Sequence, residues 1–588
     1  MRRTQMSDGR YVGITIGPIY DTLLEASSPA AMWFASSMFS DMTRQLCNEI
    51  DEQILSAEHY IGKMYSPYYD RNEAKKVGAV GKYHDRIIFY TTMPEEPLLG
   101  KLEEITIRVK HNIGQIVYEA IGEGDKKDDF FQSYLQVHYM FLDESEVNGN
   151  IIKEISPYLD EMELMRTYPN ASSYNPLRIL FAGDTNGSNR FVRESKFFKG
   201  READETLGEN GKNLSSIETI AKCGEETAGN MKKRKYYAFV AADGDSMGKT
   251  LEKLVQDPSN PADKTLEKFS QACLRYTEHA AQLINEFSGM TIYAGGDDLL
   301  FLAPLENKEG KSIFELCYDI QKCFRNTINK EINHDKKEEL KTGVPTLSFG
   351  IAMQYYKFPL YEALAKARSL LDDAKKTAGI RKDSMSVQLT KHSGQTVKFE
   401  LSNEERGLVK AFIEEPYNDT KTINSIVFAI NTYRPVFETL QTLAQQEKIN
   451  RETFIGAWLN LFDNINQTQY SPYVRDIADN HYKYIIKGIR EAFDKWDELM
   501  CNTQISESEF KAEWKKIAEQ NDLIKEYLNE RCLVPENGTS DIQWEIEYAK
   551  YEEKWKKQNN HSTIKDNRLH LLEAVLRYKK FLSEEGSY

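Results

Sequence analysis

The sequence predicts an α+β protein with two open-sheet units, a polar connection between them and a helical C-terminal region. Three observations carry this. β-rich runs alternate with helical stretches over residues 1–182, the same alternation returns over 235–398, and beyond about residue 403 only the helical period remains. Four segments follow: 1–182, 183–234, 235–398 and 399–588. At roughly 150 residues per domain the length agrees with that division.

Tyr11 to Ile19 reads as a short buried strand ending in Gly17-Pro18. From Ala30 to Ile50, Trp33, Phe34, Met38, Met42 and Leu46 are spaced for one broad apolar helix face. Arg86 to Thr92 is a β-rich run. Pro97 to Ala120 is helical, with Leu99, Leu102, Ile105, Val109 and Ile113 in phase, and Tyr134 to Phe141 alternates like a strand. The order suggests a ferredoxin-like β-α-β-β-α-β unit. Residues 183–230, rich in Gly, Asn, Ser and charge, read as an irregular connection.

The second unit opens with a strand at Tyr236 to Ala242 and a helix at Thr265 to Phe287. Short strands at Met290 to Tyr293 and Leu299 to Leu302 flank a turn. A helix from Ser312 to Ile332, a strand at Thr346 to Gln354, a helix at Leu360 to Thr377 and a strand at Met385 to Leu389 follow. This again suggests ferredoxin-like order. The tail is aromatic-rich and helical at 451–462, 474–499 and Arg568 to Leu582. Ser506 with Glu509 forms a capping-box pattern. A helical packing or docking domain is expected there.

Composition narrows the function. Hydrophobic residues make up 40% and charged residues 28%, an ordinary globular balance. Apolar runs such as Tyr236 to Ala242 fall far short of the ~20 residues of a membrane helix. Arg2 and Arg3 are not followed by the apolar stretch of a signal peptide, so a cytoplasmic protein without membrane contact is expected. Seven scattered cysteines without a C-x-x-C pair predict neither a disulfide framework nor zinc. The net charge of −15 argues against nucleic-acid binding by bulk charge. The basic run Lys232 to Lys235 reads as a solvated strand entry.

The chemistry concentrates in two motifs. In Tyr-Ala-Gly-Gly-Asp-Asp-Leu-Leu-Phe-Leu, residues 293–302, Gly295 and Gly296 sit at a tight turn between apolar strands. Glycine tolerates the positive φ of such a turn and lets a phosphate approach the backbone. Two adjacent carboxylates beside a hydrophobic sheet are costly unless a cation neutralises them. In Val240-Ala-Ala-Asp-Gly-Asp-Ser-Met-Gly-Lys249, a strand ends in Asp243 and a helix is expected to begin at Asp245 and Ser246. Either motif alone suits an ordinary turn. In a ferredoxin-like sheet the two ends lie side by side, so Asp243, Asp297 and Asp298 are expected to ligate one or two Mg²⁺ or Mn²⁺ ions. Asp297 and Asp298 are the expected catalytic pair. The backbone at Gly244, Asp245, Ser246, Met247, Gly248 and Lys249 is expected to hold a triphosphate at the helix start. Lys375, followed by Lys376, Arg381 and Lys382, supplies candidate cations. Ser348 on the strand Ser348-Phe-Gly350 could face the nucleotide.

At these residues the sequence resembles the large palm-domain subunit of type III CRISPR effector complexes, in the type III-B (Cmr) branch. Gly-Gly-Asp-Asp at 295–298 and Asp-Gly-Asp-Ser-Met-Gly at 243–248 resemble that family's polymerase palm. Ser348-Phe-Gly-Ile-Ala-Met, the Tyr356-to-Tyr361 stretch and Ala374-Lys375 are similar to its next strand and helix. Ile14-Thr-Ile-Gly-Pro-Ile19 with Trp33-Phe34 is similar to the start of its first palm. The resemblance covers about residues 10–395. It implies two palms of the adenylyl cyclase/GGDEF-like kind, the first (1–182) without catalytic carboxylates and the second (235–398) with them. It implies a cytoplasmic, RNA-guided antiviral complex in which pairing of guide RNA with target RNA switches on nucleotidyl transfer from ATP. The product implied is a cyclic oligoadenylate, or AMP joined to S-adenosylmethionine as a second substrate. An inactive scaffold subunit and a diguanylate-cyclase-like enzyme are the alternatives. The intact Asp297-Asp298 pair weighs against the first, and the second palm and helical tail against the other. Members often begin with a nuclease domain bearing a His-Asp pair. Here the first palm begins near residue 11, so no DNase domain is expected and His84-Asp85 reads as a chance dipeptide. Other Cmr subunits, docked partly on the helical domain, are the expected partners.

Overall fold

Strand β1 (Arg10–Gly17) is apolar on alternate residues, and both of its faces are covered. Val12, Ile14 and Ile16 point into a core shared with helices α1 (Pro29–Ile50) and α2 (Glu95–Ala120). On the other face α3 (Ile151–Glu163) lies against Gly13, where an added Cβ would stand 3.1 Å from Ile155 and 3.2 Å from Leu159. Ser28 caps α1 through a 3.2 Å bond from the Ala31 N–H, with Pro29 at the first helical position. In α2 the buried stripe is Leu98, Leu102, Ile105, Val109 and Ile113. Leu98 is buried and Leu99 faces outward, one residue from the expected phase.

The first sheet adds β2 (Gly62–Ser66), β3 (Arg86–Thr91) and β4 (Gln136–Asp143) in the order β2-β3-β1-β4, antiparallel throughout. This is the ferredoxin-like arrangement. The second sheet repeats it with β5 (Tyr236–Asp245), α4 (Ala262–Glu286), β6 (Met290–Gly295), β7 (Asp298–Pro304), α5 (Ile313–Asn333) and β8 (Thr346–Tyr355). Its antiparallel core order is β6-β7-β5-β8. Ser312 and Glu315 exchange the reciprocal bonds of a capping box at the start of α5. Helix α6 (Leu360–Thr377) then crosses to β9 (Ser384–Thr390), which runs parallel to β8, and β10 (Thr396–Ser402) closes that edge as a hairpin.

The structure, a computed structural model, describes residues 9–71, 83–124, 130–147, 151–165, 174–182, 190–202, 216–223, 232–245, 247–248, 251, 262–333, 346–377, 383–402, 420–445, 448–461, 475, 477–479, 481–482 and 568–583. Among these residues no helix is long and apolar enough to cross a membrane.

The two units share a core. Tyr237, Phe239, Ile292, Leu300 and Leu302 of the second sheet belong to the same buried cluster as β1, α1 and α2. On its near face β8 is pressed onto α6 at Gly350. A Cβ there would meet backbone, Ala367 O at 2.1 Å and Leu371 N at 2.3 Å. Gly350→Ala is therefore expected to destabilise the protein by about 3 kcal/mol, the upper end for overpacking, because two backbone segments cannot step aside. Denaturant unfolding measures it, and a variant as stable as the wild type would contradict this packing.

The 183–234 connection contains packed short helices, Arg190–Glu194, Lys196–Glu202 and Ile217–Ala221, where irregular chain was expected. Phe197 meets Phe34 and Phe198 meets Trp33 edge-on, with ring centroids 5.3 and 6.3 Å apart. The basic run before β5 is tied down: Lys233 pairs with Glu306 at 2.7 Å and Arg234 donates to the Glu306 carbonyl at 3.0 Å.

In the C-terminal region, α7 (Thr420–Thr432), α8 (Arg434–Gln445) and α9 (Arg451–Leu461) are followed by α10 (Arg568–Ser583). Trp458 and Phe437 join α9 to α8. Helix α10 returns to the second sheet, where Phe581 packs on Tyr236 and Tyr578 packs on Phe314 and Phe399. Ser506, Glu509 and most of the 474–499 stretch lie outside the described residues.

Candidate active site

Strand pairing brings the motif carboxylates together. Ala242 of β5 pairs with Leu299 of β7, so the next residues, Asp243 and Asp298, emerge at the same end of the sheet. Gly295 pairs with Asp298 across a two-residue turn, and Gly296 has φ +67°. That turn lies over the end of β5. A Cβ on Gly244 would be 2.6 Å from Asp297 Oδ2 and 2.8 Å from Asp297 Cβ. Gly244 is thus the residue that lets Asp297 sit against the strand.

The charge at this point is unbalanced. Lys375, near the end of α6, ion-pairs with Asp243 and reaches the Gly244 carbonyl at 3.4 Å. Burial, with the Asp243 charge next, pushes Asp297 and Asp298 above the ordinary carboxylate range, and Asp85 adds to the effect on Asp298. Asp298 opens onto a cavity while protein surrounds it on the other sides, so it is both reachable and poorly solvated. One lysine does not offset three clustered carboxylates, and a hard divalent cation suits this all-oxygen donor set. The described residues hold no group of three donors already closed around one point, and Lys375 is the counter-ion present at Asp243.

Two expected nucleotide contacts are turned inward. β5 continues through Asp245, which pairs with Thr346, so no helix begins there. The Asp245 carboxylate accepts bonds from Thr346 Oγ1 (2.8 Å), Ser348 Oγ (2.8 Å) and the Asp383 N–H (2.9 Å). Burial raises its pKa to about 6 even though these donors pull it down. Ser348 is fully buried. The pair therefore clamps β5, β8 and the entry to β9 in place of facing a nucleotide. Met247 and Gly248 are helical, and Met247 packs against Gly244. Ser246, Lys249, Arg381 and Lys382, and the side chain of Lys376, lie outside the described residues.

The first unit supplies residues that sequence reasoning passed over. Its wall and the second sheet enclose a cavity of about 530 Å³, with Thr15, Asp85 and Glu163 on one side and Tyr293, Asp298 and Arg368 on the other. His84 Cδ2 lies 3.9 Å from where a Cβ on Gly296 would be. Its Nδ1 accepts from the Arg86 N–H at 3.3 Å, which leaves Nε2–H to donate to Ser66 Oγ at 3.1 Å. Burial, reinforced by Arg86, lowers its pKa to about 4, so His84 is neutral here. The His84-Asp85 dipeptide is therefore placed at the metal-site turn by tertiary packing between the units.

The comparisons agree with this geometry. Residues 236–386 match the family model described as Cas10/Cmr2, second palm domain. A curated relative, the CRISPR system Cmr subunit Cmr2 of Pyrococcus furiosus, is 31% identical over 182 residues. The match spans 27% of this chain and 19% of that protein. Among solved structures, the apo state of the type III-B Cmr-beta complex aligns with a TM-score of 0.45 and 10% identity, over 94% of this chain and 82% of that one. A Csm1-Csm4 cassette in complex with pppApA aligns with a TM-score of 0.42 and 11% identity, over 82% and 70%. Both scores lie below 0.5 and add nothing to the assignment. Through residues 236–386 the chain belongs to the Cas10/Cmr2 second-palm family.

Proposed function

We propose that the chain is the ATP-dependent nucleotidyltransferase subunit of a type III-B CRISPR effector complex. The supporting observation is the convergence of Asp243, Asp297 and Asp298 on one sheet end beside Lys375. Asp243, Asp297 and Asp298 would hold Mg²⁺ or Mn²⁺, which supplies positive charge to the triphosphate and the leaving pyrophosphate. In the transfer an acceptor hydroxyl attacks the α-phosphorus. An O–P bond forms, the α–β anhydride bond breaks, pyrophosphate leaves with its electron pair and the hydroxyl proton passes to solvent. Lys375 sits where it can exchange Asp243 for a phosphate oxygen. Gly295 and Gly296 keep the turn free of side chains, so phosphate can come close.

The family implies that other Cmr subunits hold the guide RNA and that target RNA shifts the two palms into an active arrangement. The product is a cyclic oligoadenylate or AMP joined to S-adenosylmethionine. Incubating the assembled complex with target RNA and ATP, with and without S-adenosylmethionine, and weighing the products tests the reading. Product from GTP alone would favour a diguanylate-cyclase-like enzyme, and no product from any nucleotide would favour a scaffold.

Gly244→Ala is expected to lower product formation by about 100-fold, since displacing a catalytic group by about 1 Å has that effect. The clash falls on side chains, so the thermal unfolding midpoint should stay near that of the wild type. Full activity in this variant would mean that Asp297 does not need its place against β5.

A further inference from the structure

The cavity beside Asp298 has an unusual lining for a site next to a triphosphate. Five carboxylates, Asp21, Glu25, Asp85, Glu163 and Asp298, face one guanidinium, Arg368. Glu163 is partnered by Arg86 at 2.7 Å and by Thr15 at 3.0 Å. Asp85 has no side-chain partner among the described residues, and its backbone carbonyl is fixed by the Ile16 N–H at 3.1 Å. Arg368 is stacked on Tyr20, 4.2 Å from the ring centre. The wall also holds Ser36, 2% exposed, whose hydroxyl has no hydrogen-bond partner. His138 Nε2 on the same wall is also unpartnered. Buried polar atoms are nearly always satisfied, so orphaned ones on a cavity wall point to a polar ligand that completes them.

We propose that this cavity takes the acceptor of the transfer reaction, and that Asp85 selects an acceptor nucleoside bearing a positive charge over one bearing a polyphosphate. The inference rests on reading Asp243, Asp297 and Asp298 as the transfer site. Even with Asp298 neutralised by metal and Glu163 by Arg86, Asp21, Glu25 and Asp85 remain against Arg368. A second triphosphate would bring several more negative charges into poorly solvated space and be repelled. A sulfonium or ammonium group reverses that sign. Arg368 matches the single carboxylate of an amino-acid head group. About 530 Å³ is room for a nucleoside with such a tail. Of the two products proposed above, this favours AMP joined to S-adenosylmethionine.

The test is equilibrium binding of radiolabelled S-adenosylmethionine to the assembled complex, with Mg²⁺ and a non-hydrolysable ATP analogue in the donor site. S-adenosylhomocysteine, the same nucleoside without the sulfonium charge, is the competitor, and Asp85→Asn is the variant. The wild type is expected to prefer the sulfonium ligand at least about tenfold, and Asp85→Asn to lose most of that preference while binding the uncharged ligand as before. Equal affinity for the two ligands in the wild type would overturn the proposal, as would an Asp85→Asn variant weakened equally for both. Charge selectivity in a complex that releases no pyrophosphate from ATP would support the cavity assignment while refuting the transfer reading.

Discussion

Replacing Asp297 and Asp298 together with Asn is expected to cut nucleotide product by at least about 10²–10³-fold and to leave the unfolding midpoint in metal-free buffer unchanged or raised. The two halves have one cause. Burial and the Asp243 charge push both carboxyl groups above their ordinary range, so their ionisation is harder in the folded protein than in the unfolded chain. An acid whose folded pKa is raised weakens the fold as pH climbs above its unfolded value. The advantage of the Asn variant should therefore grow from acid toward neutral pH and vanish in acid. Asp243 keeps Lys375 as its partner in both proteins. Added Mn²⁺ should raise the wild-type midpoint and leave the variant's unmoved. Melting curves with EDTA and with Mn²⁺, beside product assays, decide the matter. A variant that stays active, or melts far below the wild type, would remove the metal-site interpretation.

A chain ending near residue 400 is expected to fail as a folded second palm, although its strands and carboxylates are all present. The sequence suggests that the helical tail is a separate docking region whose loss leaves the metal site intact. Helix α10 alters that expectation. Phe581 lies edge-on against Tyr236, with ring centroids 4.7 Å apart, and Tyr578 stands between Phe314 and Phe399. Tyr236, Phe314 and Phe399 are each at most 3% exposed in the full chain, and truncation would open all three to water. The single change Phe581→Ala should cost about 3–5 kcal/mol, as for other buried aromatic truncations. Unfolding of the full-length variant and the solubility of the truncated chain measure the effect. A truncated chain that melts like the wild type would show that α10 is dispensable packing.

What was legible in the sequence follows from the range of the forces involved. β5, β7, β8 and α6 are long or strongly periodic, and their expected positions hold to within a few residues. Asp243, Asp297 and Asp298 were legible as a group because each sits at a strand end or turn within a recognisable topology. β2, Gly-Lys-Met-Tyr-Ser, is a short edge strand without alternation, and only its pairing with β3 defines it. β10 follows a domain boundary placed too early for it. In α2, adjacent Leu98 and Leu99 both satisfy the helical period, and packing alone chooses Leu98. The Asp245–Ser348 clamp was hidden because a buried acid that needs hydroxyl partners has the same sequence as one that binds phosphate. His84 and Asp85 reach the site through packing between two units, which no local pattern encodes.

Pyrophosphate release from ATP by the assembled complex tests the account most directly, compared between wild type and Asp297→Asn/Asp298→Asn, with and without target RNA. The account predicts Mg²⁺-dependent release by the wild type that requires target RNA and disappears in the variant. Release that persists undiminished in the variant, or no release from ATP with either ATP or S-adenosylmethionine as acceptor, would contradict it.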